Sequence, residues 1–70
     1  MTDEIKRAFA PFHGKVNFCE FVVEYFKDPS REPLRVYQEV LSKMDIEPMY
    51  SLEYCFLWSL RECLAEILMV

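Results

Sequence analysis

The chain has 70 residues, of which 53% are hydrophobic and 16% aromatic, and it carries twelve acidic side chains against eight basic ones. This aromatic content excludes a disordered chain, and the length predicts one domain over residues 1–70. The net charge of −4 argues against nucleic-acid binding, which relies on clustered Lys and Arg.

Proline residues mark the ends of the predicted helices, because proline is tolerated at the start of a helix but not inside one. The first helix ends before Pro11, and a turn around Gly14 leads into a second helix over residues 16–27. Polar side chains in that second segment recur every three or four residues and form one narrow stripe. So narrow a stripe indicates a helix that is enclosed on most of its sides.

The third helix is predicted to begin near Ser30, whose hydroxyl can cap it, with Pro33 in its first turn. Its polar residues cover a wide face, as in an ordinary amphipathic helix at a protein surface. The opposite, buried face is predicted to consist of Leu34, Tyr37, Val40, Leu41 and Met44.

A fourth helix follows Pro48, with Ser51 as its N-terminal cap and Tyr50 predicted to pack against Cys55. Most positions on this helix are apolar, and the small and polar ones form a single stripe. The stripe consists of Ser51, Cys55, Ser59, Glu62 and Glu66. The segment approaches the length of a membrane span, but its charged residues are costly in hydrocarbon, so we expect no membrane association.

These elements predict an all-α protein, a compact bundle of three to four helices. The second and fourth helices carry more apolar surface than a chain of this length can easily bury, and exposed apolar patches are typical of interfaces. We therefore expect a homodimer and a further protein partner. The candidate interface consists of Phe18, Phe21, Val22, Tyr25, Tyr54, Phe56, Leu57 and Trp58.

Cys19, Cys55 and Cys63 are an odd number of cysteines, and the N-terminal segment lacks the long apolar stretch of a signal peptide. We expect three reduced thiols in a cytoplasmic protein. Each cysteine lies in an apolar segment, where it is predicted to be buried and slow to react. Together with His13 they are the candidate metal ligands. None of them forms the close pair that structural zinc sites use, so we expect no metal and no cofactor.

The sequence offers no recognisable catalytic group, and we expect no enzymatic activity. His13 is the single histidine, and no serine or cysteine lies near it along the chain. Two pairs of glutamates at i,i+4 spacing resemble di-iron bundles, but the Glu-x-x-His element of those bundles is absent. The pairs are Glu20/Glu24 and Glu62/Glu66. We interpret both as solvated stripes.

An alternative function is transcriptional regulation, with the third helix acting as a recognition helix in the major groove of DNA. The residues that would face the DNA are Arg31, Arg35, Gln38 and Ser42. A solvated helix face has the same pattern, and acidic residues surround this one, so we favour a protein partner. Salt-dependent binding to duplex DNA would distinguish the two functions.

The stretch FCEFVVEYFKDPSREPLRVYQEVLSKM, together with the size and acidity of the chain, resembles the short helical proteins encoded in the early regions of lambdoid temperate phages. The resemblance is one of composition and size, without a defining motif, and it assigns no site residues. It implies a cytoplasmic accessory factor that acts on phage development or on a host protein.

Overall fold

The computed structural model describes residues 2–69. They form four α-helices: α1 (Thr2–Phe9), α2 (Phe18–Tyr25), α3 (Pro33–Met44) and α4 (Leu52–Leu68). Single 3-10 turns at Ala10–Phe12 and Pro29–Arg31 lie between helices. The described residues contain no strand. The predicted all-α bundle is therefore confirmed, with four helices.

The core lies between α4 and the three shorter helices, and the packing of α3 against α4 is the most extensive helix contact. Leu57, Leu60 and Leu64 recur at the spacing of one helix face and have no exposed surface. The other buried side chains are Ile5, Phe9, Phe18, Val22, Phe26, Val36, Val40, Phe56 and Cys63. Every helix thus contributes its apolar face to one continuous core.

Helix α1 is held mainly by its apolar face. Ile5 and Phe9, one helical turn apart, are both buried in the core. Lys6 pairs with the Glu53 carboxylate of α4, and this hydrogen bond, aided by the opposite charge, raises the pKa of Lys6 above its ordinary value. Such an exposed pair contributes little to stability compared with the burial of two large side chains.

Helix α2 is shorter than predicted at both ends. Gly14 has a φ of +84°, a left-handed conformation that favours glycine, and the chain turns through residues 15–17 before the helix begins at Phe18. Val16, predicted to lie inside the helix, is fully exposed in this turn. At the other end the helix stops at Tyr25 rather than at residue 27. The residues at both ends of the predicted helix therefore lie in the adjoining turns.

The predicted capping role of Ser30 is wrong. Its hydroxyl and its backbone N–H both donate to the Asp28 carboxylate, at 2.7 and 3.0 Å. These two hydrogen bonds hold the pKa of Asp28 below its ordinary value. Helix α3 begins only at Pro33, which confirms proline in the first turn. Arg31 belongs to the preceding 3-10 turn and so does not lie on α3.

The buried face of α3 is rotated relative to the prediction. Val36 and Val40 are its centre and are completely buried, although the sequence pattern did not single out Val36. Leu34 is 55% exposed and Leu41 is also exposed, so their predicted burial is wrong. Both lie well over 90° around the helix from Val36, because successive residues are about 100° apart. The two valines face α4 and leave the leucines at the edge of the contact.

Helix α4 begins as predicted at its cap. The Ser51 Oγ accepts a hydrogen bond from the backbone N–H of Tyr54 at 3.0 Å, which confirms Ser51 as the N-cap. Tyr50 is 90% exposed, so its predicted packing against Cys55 is wrong. Its φ of +70° turns the chain away from the helix just before the cap. Within the described residues, no helix has the length and apolar character needed to cross a membrane.

The predicted state of the cysteines is wrong. Cys19 of α2 and Cys63 of α4 form a disulfide, with their Cα atoms 5.4 Å apart and a sequence separation of 44. Cys63 is buried and Cys19 half-buried. Cys55 is the free thiol, and it is exposed rather than buried, because it lies on the outer side of α4. The apolar neighbours of each cysteine in sequence did not distinguish these environments.

This arrangement predicts one reactive thiol per native molecule. We expect a maleimide reagent to label Cys55 rapidly and to leave Cys19 and Cys63 unlabelled until the protein is reduced and denatured. Mass spectrometry of the labelled protein gives the stoichiometry. The variant Cys55→Ser is the control and should take up no label in its native, oxidised state. Three labelled thiols in untreated native protein would show that the disulfide is absent.

Candidate functional site

An open groove lies along the outer side of α4. Its floor consists of side chains from two turns of α4, and its walls come from the connection before α4 and from the turn before α2. The residues are His13, Met49, Tyr50, Tyr54, Cys55, Trp58 and Ser59, which we call the aromatic groove. Its volume of about 360 Å³ lies within the range of known ligand pockets, and its lining is mostly apolar.

Trp58 is the largest side chain in the lining of this groove. It is 47% exposed, whereas Leu57 and Leu60 beside it in sequence are completely buried. Trp58 therefore lies at the edge of the core, and about half of its surface is in contact with solvent. Large aromatic side chains in this position anchor protein interfaces, because one rigid ring supplies a large apolar area.

A hydrogen bond between distant residues fixes one wall of the groove. His13 Nε2 lies 3.1 Å from the Ser59 Oγ, across 46 residues of sequence. The His13 ring also makes edge-to-face contacts with Phe18 and Phe56, at centroid distances of 5.8 and 5.7 Å. His13 immediately precedes Gly14, whose φ is +84°. Nothing in the sequence spacing indicated that a serine would meet this histidine.

The His13–Ser59 pair has the composition of a nucleophile and its base. Whether it could catalyse acyl transfer depends on the groups around the Ser59 hydroxyl. Ser59 lies in the interior of α4, where the neighbouring backbone N–H groups donate within the helix. Acyl transfer requires free donors that stabilise the developing oxyanion. The surroundings of Ser59 supply none from the α4 backbone, so the geometry favours a structural hydrogen bond that positions the wall.

A second hollow, of about 320 Å³, continues from the first along α4 and shares His13, Trp58 and Ser59 with it. Here the lining is still mostly apolar, but it includes the charged side chains of Lys15 and Glu62, and the Cys19–Cys63 disulfide borders it. The combined surface thus runs from aromatic side chains at the start of α4 to charged ones towards its end.

The predicted interface residues divide into two groups. Phe18, Val22, Phe56 and Leu57 are buried in the core of the chain itself, so a partner cannot reach them without unfolding. Phe21 and Trp58 are exposed, and Tyr25 and Tyr54 are half-buried. Of these four, the aromatic groove contains Tyr54 and Trp58. Tyr25 lies elsewhere, beneath the guanidinium of Arg31 at 3.9 Å.

The candidate DNA-facing residues are exposed, but their arginines are already paired. Arg31 donates to the Tyr25 carbonyl at 3.3 Å and lies 3.9 Å from the Asp28 carboxylate. Arg35 contacts the Glu32 carboxylate at 3.4 Å. Gln38 and Ser42 are exposed on α3. This face therefore presents alternating charges rather than the basic surface that phosphate binding requires.

Among residues 2–69, no three His, Cys, Asp or Glu side chains come together as a set that could hold a metal ion. Comparison with known proteins adds no relative, since no family model, curated protein or solved structure matches this chain. The groove on α4 is consequently the feature on which a functional argument can rest.

Proposed function

We propose that this chain is a non-enzymatic interaction protein that binds another protein through the aromatic groove. The observation that supports this most is the half-exposed Trp58 in the lining of a largely apolar groove. An apolar surface with a rigid aromatic anchor is the usual centre of a protein interface. The polar residues around the groove then orient the bound partner and take no part in a reaction.

We also propose that the free protein is a homodimer formed through the same surface. Five large exposed apolar side chains lie within residues 46–58, and three of them line the groove. The five are Ile46, Met49, Tyr50, Leu52 and Trp58. Contiguous apolar patches of this kind are typically covered in solution. A second copy covers the patch in the free protein, and the partner displaces it.

The resemblance to early-region proteins of temperate phages supports a role as a cytoplasmic accessory factor of phage development or of a host protein. The Cys19–Cys63 disulfide counts against this location, because disulfides are rare in the reducing cytoplasm. The lining of the aromatic groove includes neither Cys19 nor Cys63, so the disulfide stabilises the fold that carries the groove without forming part of its surface.

The decisive experiment combines sedimentation velocity with affinity capture. We expect the wild-type protein to sediment as a dimer at micromolar concentration and to retain specific proteins from a bacterial lysate. Trp58→Ala should be monomeric and should lose those proteins while keeping its circular dichroism spectrum. The reason is that this substitution removes the central contact of the interface but little of the core.

Leu34→Ala is the matched control, because Leu34 is comparably exposed, at 55%, and does not line the groove. We expect it to sediment and to capture proteins as the wild type does. If Trp58→Ala is folded, stays dimeric and captures the same proteins, the proposed function is wrong.

A further inference from the structure

We propose that the partner presents a basic amphipathic helix to the groove, with apolar side chains against Tyr54 and Trp58 and with Lys or Arg opposite Glu62 and Glu66. This inference rests on the proposed function and specifies the chemistry of the partner. It follows from the order of side chains along the outer face of α4 and from their charges.

The outer face of α4 changes from aromatic to acidic along its length. Trp58, Glu62 and Glu66 are spaced at i, i+4 and i+8, which places them on one side of the helix, and all three are exposed. Cys55 extends this row by one turn towards the N-terminus. From Cys55 to Glu66 the row is about 16 Å long, at 1.5 Å per residue. Three turns of a partner helix match this length.

The acidic end of the row lacks compensation within the described residues. The last turn of α4 contains no basic residue, and Glu66 lies close to the C-terminal end of the helix. The unpaired backbone carbonyls at a helix C-terminus carry a partial negative charge, so a carboxylate there is destabilising and a cation is stabilising. A cationic side chain from a partner would therefore gain from both Glu66 and the helix end.

The nearby bases offset this end only in part, because Arg61 pairs with Glu62 while Glu66 has no basic partner within the described residues. Arg61 contacts Glu62 at 3.0 Å, and Lys15 borders the second hollow from the turn before α2. Residues 45–70 contain five acidic residues against Arg61 alone. The surface around the second half of α4 is therefore complementary to a positively charged partner.

A basic helix fits this surface better than a second copy of the chain does. Another copy offers only Arg61 from its own residues 45–70, and that guanidinium already pairs with Glu62. The aromatic end of the groove also suits cations, because Lys and Arg side chains lie favourably over Trp and Tyr rings. The Arg61 guanidinium already lies over the Trp58 ring, 5.7 Å from its centroid, which leaves Tyr54 as the ring for a cation of the partner. Helix-in-groove binding with apolar anchors at one-turn spacing is a recurrent mode of peptide recognition.

The test uses three synthetic, tryptophan-free helical peptides of about 14 residues, a length that spans the row at 1.5 Å per residue. Each carries the same leucine face, with Lys, Gln or Glu at the polar positions, and a fluorescent label for anisotropy. We expect the Leu/Lys peptide to bind, the Leu/Gln peptide to bind at least about tenfold more weakly, and the Leu/Glu peptide not to bind. Binding should weaken with added salt, because exposed charge pairs are screened.

The chain offers a matched pair of variants. Glu62→Gln/Glu66→Gln should raise the dissociation constant of the Leu/Lys peptide about five- to tenfold, as expected for two exposed ion pairs. Glu20→Gln/Glu24→Gln removes the same two charges at the same spacing from the outer side of α2, which does not line the groove. It should leave the dissociation constant within about twofold, since screening suppresses distant charges. Trp58→Ala should abolish binding.

Equal weakening by both double variants would mean that only net charge matters and would overturn the inference. So would a Leu/Gln peptide that binds as tightly as Leu/Lys, or a dimer that persists under saturating peptide. In those cases the proposed function survives if Trp58→Ala still abolishes dimerisation and capture. A folded Trp58→Ala protein that stays dimeric and binds the peptide would overturn both proposals.

Discussion

Reduction of the Cys19–Cys63 disulfide is expected to lower the free energy of unfolding by about 4 kcal/mol. The bond closes a loop with a sequence separation of 44, and cross-linking restricts the unfolded chain by an amount that grows with the length of the loop. A domain of this size has a total stability of roughly 4–10 kcal/mol, so the reduced protein should be close to the limit of folding. Urea unfolding of oxidised and reduced protein, followed by circular dichroism, measures the difference.

The comparison is best made in a Cys55→Ser background. Cys55 is exposed and unpaired, so its removal prevents thiol–disulfide exchange without touching the core. Cys55→Ser itself should leave the unfolding midpoint of the oxidised protein unchanged. If reduction leaves the midpoint unchanged in this background, the two cysteines are not joined in the native protein.

Leu60→Ala is the substitution with the largest expected effect on the core. Leu60 has no exposed surface and lies at the centre of the apolar face of α4. Truncation of a fully buried leucine removes its burial energy and leaves a cavity, which together destabilise by about 3–4 kcal/mol. Urea unfolding of the oxidised protein should show a much lower midpoint.

Leu52→Ala is the same chemical change on the same helix, but Leu52 is exposed at the first residue of α4. With both variants measured in the Trp58→Ala background, which is expected to be monomeric and so leaves Leu52 uncovered, Leu52→Ala should alter the unfolding free energy by less than about 0.5 kcal/mol, as surface substitutions usually do. Similar losses in the two variants would contradict the burial pattern described for α4.

The helices could be predicted because their signals are local. Pro33 starts α3 and Ser51 caps α4, and each acts on backbone groups within a few residues. The burial of α3 was harder to predict, since Leu34 and Val36 are both apolar and point in different directions. Which of them is buried depends on how α3 packs against α4, and the sequence pattern does not contain that information.

The site could be predicted only in part, because its key contacts join distant segments. Trp58 and Tyr54 are among the predicted interface residues, and both line the aromatic groove. The His13–Ser59 hydrogen bond spans 46 residues and the Cys19–Cys63 bond 44, and both depend on the turn at Gly14 and on helix packing. For the same reason Phe18 and Phe56, predicted at an interface, are instead in mutual contact in the core at 6.1 Å.

The disulfide also divides the molecule topologically. Residues 19–63 form a covalently closed ring that contains all of α3 and most of α2 and α4, whereas α1 lies wholly outside it. An eight-residue helix is not stable alone, so α1 persists only while Ile5 and Phe9 remain docked. In the oxidised protein, α1 can therefore detach from the core while the ring stays closed. The α4 side chains of the aromatic groove keep their places in this partial unfolding. Loss of α1 would uncover the core beneath it while the connection between α2 and α4 stayed intact.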